Sequence, residues 1–215
     1  MNEKIMIVDD SPFIVDGLAA ILTRKGYTPV PVHGGYECLD ALNAEIPDLI
    51  LLDLMMEPLD GWETLEKIRE KPETKDIPVL MFSAKKLTPA EAQEHSVKID
   101  DFVSKPVNPT QLLDSIQRIF SRRNDIRDVT TAAQGRGLSS AIIDEYCALR
   151  KNIEVDKNLL VVLKSSFGMD IPGREISADD RDEIRKLEDK ISKAEQRLRE
   201  INNLISKPAD PVSGE

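Results

Sequence analysis

Short apolar runs alternate along the first 120 residues with stretches whose apolar positions recur every three or four residues. The runs are Lys4–Val8, Thr28–Val32, Leu49–Leu52, Val79–Phe82 and Asp101–Val103. Leu49-Ile50-Leu51-Leu52 is apolar throughout, which predicts a strand buried on both faces of a parallel sheet. Helical periodicity lies between the runs, as in Ile14, Leu18, Ile21 and Leu22, or Leu65 and Ile68. Ser11-Pro12, Thr88-Pro89 (with Glu91 three residues after the threonine) and Asn108-Pro109 each set a capping side chain before a proline, marking helix starts. Five βα units in series predict an open, doubly wound α/β sheet. Such sheets bind ligands beyond the carboxyl ends of their strands, where the strand order reverses.

After Phe120 the pattern changes. Residues 121–134 are polar with a thin apolar line of Ile126, Val129 and Ala133, so the last helix of the first domain is expected to run on. Gly135-Arg136-Gly137 breaks it. A seam follows at Ile142, Tyr146, Leu149, Ile153, Asp156, Leu160 and Leu163, stepping alternately four and three. Residues 165–177 read as a turn, and a second seam runs through Ile184, Leu187, Ile191, Ala194, Leu198, Ile201 and Ile205. Pairing Leu160 with Ile184, Ile153 with Ile191, and Tyr146 with Leu198 gives a constant positional sum of 344, the signature of an antiparallel, coiled-coil-like hairpin. Asp156 is its flaw, for it would oppose Leu187 unless Lys190 or Lys186 reaches it. The expected organisation is a first domain over 1–121, an extension or linker over 122–137, the hairpin over 138–207 and a loose tail over 208–215.

Charge sharpens this picture. The net charge of −10 divides into −9 over residues 1–120 and −1 over the remainder, so neither part carries the basic footprint that nucleic-acid backbones require. No stretch approaches 18 consecutive apolar residues, and the N-terminus reads as a first strand rather than a signal peptide. Cys38 and Cys147, far apart and without a CxxC partner, read as free thiols in a reducing cytoplasm.

Four features fall at strand ends: Asp9-Asp10 after the first, Asp53 at the end of the third, Ser83 after the fourth and Lys105-Pro106 after the fifth. Singly, each has an ordinary explanation as a cap, a turn residue or a solvated lysine. The topology, however, brings them all to one edge of the sheet. Three carboxylates there repel one another unless a cation sits among them, and a hard divalent ion such as Mg²⁺, with oxygen ligands, suits the need. A hydroxyl and an ammonium facing those carboxylates supply what the oxygens of a phosphoryl group require.

On these residues, 1–121 resembles a response-regulator receiver domain of two-component signalling, a flavodoxin-like fold with strand order 2-1-3-4-5. The resemblance implies that Asp53 is the phosphoacceptor, that Asp10 and Asp53 bind Mg²⁺ directly and that Asp9 does so largely through water. It implies that the Met55 carbonyl completes the metal shell and that Ser83 and Lys105 bind phosphoryl oxygens. Phe102 would be the switching aromatic, and the Lys105–Pro106 peptide would be cis. The sequence departs from the family after the acceptor, where Met56 is followed by Glu57-Pro58 rather than directly by proline; Asp60-Gly61 is in its usual place. A phosphoryl group adds about −1.5 to −2 charges. The expected readout is the fourth helix, fifth strand and fifth helix, Thr88–Arg123, passing to the hairpin as a dimerisation or docking module. The implied partner is a histidine kinase or phosphotransfer protein.

Rival classes fit less well. A transcription factor with an atypical DNA-binding output is the alternative, but no basic recognition helix follows the first domain. Residues 121–215 hold no histidine for phosphotransfer and no nucleophile–base or metal cluster for an enzymatic output. His33 and His95 lie in the first domain, where loop and helix roles suffice.

Overall fold

In a computed structural model, which describes residues 3–168 and 177–206, strand propensity and helix capping build a single five-stranded sheet with helices on both faces. The strands are β1 (Lys4–Val8), β2 (Thr28–Val32), β3 (Leu49–Asp53), β4 (Val79–Ser83) and β5 (Asp101–Ser104), all parallel, in the order β2-β1-β3-β4-β5. Three of them run one residue beyond their apolar cores. Asp53 and Ser83 therefore close β3 and β4 from within, whereas the sequence placed Ser83 just outside.

The two-residue period of the strands sorts the core into two halves. Ile5, Ile7, Leu49, Leu51, Leu80 and Phe82 face α1 (Pro12–Arg24) and α5 (Pro109–Gly135), which contribute Val15, Leu18, Leu22, Leu112, Ile116 and Ile119. Met6, Val8, Ile50, Leu52 and Met81 face the other way, towards α2 (Gly35–Ala44), α3 (Gly61–Glu70) and α4 (Pro89–His95). Each large side chain buried this way stabilises the fold by about 1.5–3 kcal/mol.

Capping explains most helix starts. Thr88 and Glu91 form a reciprocal capping box on α4, and the Asn108 carboxamide oxygen accepts from the backbone N–H groups of Thr110 and Gln111. Ser11 does not cap with its side chain as expected, and its backbone N–H donates to Asp9 Oδ1 at 2.8 Å. A capping box on α3, Asp60 with Glu63, was not anticipated.

The last helix of the first domain does run on, as α5 continues unbroken to Gly135, and Gly137 turns the chain with φ 76°. Two long helices follow, α6 (Ser140–Phe167) and α7 (Ala178–Ser206). Helix α6 persists three residues into the segment read as a turn and ends at Gly168, whose φ of 63° suits a residue without a Cβ. The rest of that turn and the 208–215 tail lie outside the described residues.

The hairpin is antiparallel. Lys157–Glu195 (2.6 Å), Lys164–Glu188 (2.7 Å) and Arg197–Glu145 (2.7 Å) tie its arms at positions summing to 352, 352 and 342, bracketing the expected 344. Tyr146, Ile153, Leu163, Ile184, Leu187, Ile191 and Ile201 are buried as the seams require. Ile142, Leu149, Leu160, Ala194, Leu198 and Ile205 are only partly covered. The physical reason, for α6, is a second buried stripe. Val155 and Leu159 turn to the sheet and join the core with Met81, Ala92, Ile99 and Phe102. The hairpin does not stand free; it docks on its own first domain.

Between α3 and α4, His95 stacks on Trp62 with centroids 4.0 Å apart and planes 12° apart. Burial pushes the His95 imidazole below its ordinary 6.5, while Glu94 pulls the other way. A histidine depressed in the folded state contributes stability above its unfolded pKa and loses it as the pH falls through that value and then the folded one. The Tm advantage of wild type over His95→Phe should therefore shrink between pH 7.5 and 5.5 in thermal unfolding. An equal Tm difference at both pH values would contradict this.

Candidate functional site

The strand order reverses between β1 and β3, so the loops after them diverge and leave a crevice at their carboxyl ends. Asp9, Asp10 and Asp53 meet there, each offering a carboxylate oxygen within 4.8 Å of the others. Asp9 and Asp53 are buried and Asp10 is exposed. Two like charges about 4 Å apart near a protein surface repel by about 4 kcal/mol, so the cluster is unfavourable without a counter-charge.

Lys105 supplies part of that charge. Its Nζ lies 2.8 Å from Asp9 Oδ2 and 3.1 Å from Asp53 Oδ2, and 4.7 Å from the centroid of the Phe82 ring. One ammonium against three carboxylates leaves two negative charges, the complement of a divalent cation. Burial raises the Asp53 carboxyl above its ordinary value; the ammonium of Lys105 opposes this, the charge of Asp9 adds to it, and the nearby Met55 backbone N–H lowers it slightly. Among the described residues, Asp53 Oδ1 is buried without a hydrogen-bond partner. A buried oxygen with no partner is costly, and a cation or an incoming electrophile relieves it. The donor set, all hard oxygens, fits Mg²⁺.

Ser83 lies one residue beyond the β4 partner of Asp53, which is Phe82. Its buried Oγ accepts from the Lys85 backbone N–H at 2.9 Å and keeps its own proton to donate. The Lys85 side chain turns away to Glu91 at 2.6 Å. Lys105–Pro106 is cis, as is Glu57–Pro58 in the loop after β3. Met55 points its side chain to solvent, and Glu57 is exposed as well.

Phe102, the expected switching aromatic, is buried on β5 in the same core as Leu87, Ala92, Val155 and Leu159. It is thus covered by the hairpin, a position the sequence did not suggest. Asn158 of α6 also reaches this strand, donating to the Phe102 carbonyl at 2.8 Å and to the Asp101 carboxylate. No sequence signal marked Asn158, since it falls outside the seam.

With this geometry in view, the similarities are informative. Residues 5–117 match the family described as the response regulator receiver domain, and residues 122–209 match one described as Metanogen output domain 2. The alkaline phosphatase synthesis transcriptional regulatory protein PhoP of Bacillus subtilis is 35% identical over 126 residues, 59% of this chain and 51% of its own length. The chain spans about half the length of the curated relatives it matches first. Among solved structures, chemotaxis protein CheY4 of Vibrio cholerae is 28% identical with a TM-score of 0.52, covering 55% of this chain and 99% of its own. The N-terminal domain of a receiver protein from Methanoculleus marisnigri JR1 is 53% identical, covering 55% of this chain and 96% of its own, with a TM-score of 0.48.

The approach of α3 to β3 leaves no room for a larger residue at its first position. A Cβ on Gly61 would lie 2.2 Å from the Asp53 carbonyl oxygen and 2.7 Å from Leu54 Cα, both backbone atoms. Gly61→Ala should destabilise the chain by about 1–3 kcal/mol, the usual cost of overpacking. Urea unfolding measures it, and an unchanged midpoint would refute the close approach.

Proposed function

Because the chain belongs to the response regulator receiver family, we propose that it is a phosphorylation switch whose acceptor is Asp53 and whose output is the C-terminal hairpin. The observation that carries this reading is the buried, unpartnered Asp53 Oδ1 beside Asp9, Asp10 and Lys105. A buried carboxylate oxygen left without a partner is available to an electrophile or a cation.

Asp9, Asp10, Asp53 and the Met55 carbonyl would hold Mg²⁺, which when bound neutralises charge on the carboxylates and on the transferring group. Asp53 attacks the phosphorus of the donor, the donor's leaving group departs in line, and an acyl phosphate forms on the side chain. Lys105 exchanges its present carboxylate contact with Asp53 for a phosphoryl oxygen, and the Ser83 hydroxyl donates to another. Charge-assisted hydrogen bonds contribute roughly 1.5–3 kcal/mol each. Two or three of them supply the roughly 5.5 kcal/mol that turns a 1:99 equilibrium into 99:1.

The donor is a histidine kinase or phosphotransfer protein, which presents a phosphoimidazole to the acidic crevice. The chain transforms no other substrate. Among the described residues no helix is long and apolar enough to cross a membrane. The output is protein–protein contact. Relatives bear names of transcriptional regulators, but the match spans half of their length, and residues 121–215 of this chain carry a net charge of only −1. That balance does not suit a phosphate backbone.

Wild type should take up label from a small acyl phosphate in excess Mg²⁺, and Asp53→Asn or chelation with EDTA should abolish it. Retention of label by Asp53→Asn at the wild-type rate would overturn the assignment.

A further inference from the structure

A cavity of about 250 Å³ opens at the end of the sheet opposite Asp53, where Ile77 and Pro78 lead into β4 and Asp100 leads into β5. It lies between the first domain and the hairpin, with Arg122 of α5 on one wall and Lys151 of α6 on another. Three cations converge there on one buried carboxylate. Asp100 lies 3.3 Å from Arg122 Nη2, 3.6 Å from Arg69 Nη2 and 3.6 Å from Lys151 Nζ. Its Oδ2 also accepts from the Val79 backbone N–H at 3.0 Å. Glu154 takes Arg122 Nη1 at 3.1 Å, so Arg69 and Arg122 already balance Asp100 and Glu154. Lys151 is surplus. Of the exposed groups that line the cavity, Lys75 and Arg123 outnumber Asp76 by one. Two positive charges are left over, in a chain whose net charge is −10.

The three inner cations differ in what they have to offer. Arg69 spends its N–H groups on the carbonyls of Lys98, Lys75 and Ile77, so it brings charge rather than free donors. Lys151 is poorly satisfied. Its side chain is largely covered, yet Nζ reaches the Val97 carbonyl at 3.4 Å and Asp100 at 3.6 Å. Both distances exceed the roughly 2.7–3.2 Å of a good N–H···O bond. Burial holds this ammonium below its ordinary 10.5; Asp100 opposes that, and the charges of Arg69 and Arg122 depress it further. A covered cation without a counter-charge is costly, and an anion entering the cavity relieves it. A cluster that only fastened α6 to the sheet would be complete without Lys151.

We propose that this cavity binds a small phosphate-bearing anion, free or carried on a small organic group, with Lys151 as its principal ligand. The two surplus charges are the complement of a dianion. They are concentrated, since the inner cations all lie within 3.6 Å of one carboxylate. That suits a compact tetrahedral dianion better than a dicarboxylate with separated ends. Lysine meets phosphate as a point charge with three donors, and Arg123 adds a second cation from the exposed side. The volume falls below the roughly 300–1,000 Å³ of most organic-ligand pockets, so a nucleotide is too large. Ile77, Pro78 and Ile126 give an apolar wall for a short carbon chain. The site stands at the other end of the sheet from Asp53 and does not depend on the phosphoacceptor reading.

The test uses the full chain with EDTA present, so that the acidic crevice at Asp53 repels phosphate. Inorganic phosphate and glycerol 3-phosphate are titrated calorimetrically at constant ionic strength, and one of them should bind with a Kd of about 1 mM or tighter. Lys151→Gln should weaken that binding about tenfold or more, the loss of one charge-assisted bond. Arg123→Gln, at an exposed side chain, should weaken it a few-fold, and Lys193→Gln, exposed on α7, should leave it unchanged. Saturating ligand should slow alkylation by iodoacetamide of Cys147, which lines the cavity. Cys38 stays silent, being wholly buried with its thiol pushed up to about 12. Tighter binding of glycerol 3-phosphate assigns the site to an organic phosphate, and tighter binding of inorganic phosphate assigns it to the free ion. No heat from either probe at about 10 mM, ten times that Kd, would overturn the site. So would unchanged affinity in either Lys151→Gln or Arg123→Gln, or binding that leaves Cys147 unprotected. Succinate binding as tightly as phosphate would overturn the choice of a compact dianion.

Discussion

Three carboxylates and one ammonium at the carboxyl edge of the sheet set the terms for the rest of the molecule. Asp9 and Asp53 are held there by β1 and β3, whose backbones are fixed by ladders on both sides, so the repulsion cannot be relaxed by moving them apart. Lys105 relieves part of it, reaching both acids from the end of β5. Burial raises the proton affinity of Asp53, and the charge of Asp9 adds to it against the opposing pull of Lys105. Any event that changes charge at Asp53 is felt by Lys105, which directly follows β5. The site is therefore wired to one side of the sheet, the side on which the hairpin sits.

That placement also accounts for an oddity of the hairpin. An aspartate in an apolar seam is costly to bury unless paired. Asp156 is paired, but its lysine reaches onward to Ser96 of the first domain rather than ending in the hairpin. The acid is consequently a feature of docking more than of the register between α6 and α7. Two helices alone bury little, and α6 meets this limit by carrying two apolar stripes, one for α7 and one for β5 and α4.

Much of the fold was legible in the sequence because its signals are local. Apolar runs gave all five strands within a residue, Pro-preceding caps gave three helix starts, and the strand-end acids, serine and lysine fell together once the topology was known. The positional sum gave the antiparallel sense of the hairpin, since periodicity along two helices constrains how they can meet. What escaped was non-local. A four-three seam selects one stripe, so Val155 and Leu159, which answer to the sheet, were invisible to it. Asn158, Gln93 and Ser96 have no pattern at all, for their partners lie more than fifty positions away. Ser11 makes no side-chain cap bond, and its backbone N–H donates to Asp9, neither of which spacing alone decides.

The polar contacts of the hairpin, within itself and with the first domain, are not equal in consequence. Lys157–Glu195 and Arg197–Glu145 lie at the surface, where ion pairs contribute at most about 1 kcal/mol and salt screens them. They bias the arms towards one register and little more. Ser96 and Asp156 are buried, so losing their partners costs the full desolvation of a hydroxyl and a carboxylate. Apolar burial by Val155 and Leu159 supplies most of the attraction but tolerates sliding; the buried polar groups do not. An interface built this way has one well-defined docked position, not a continuum of nearby ones.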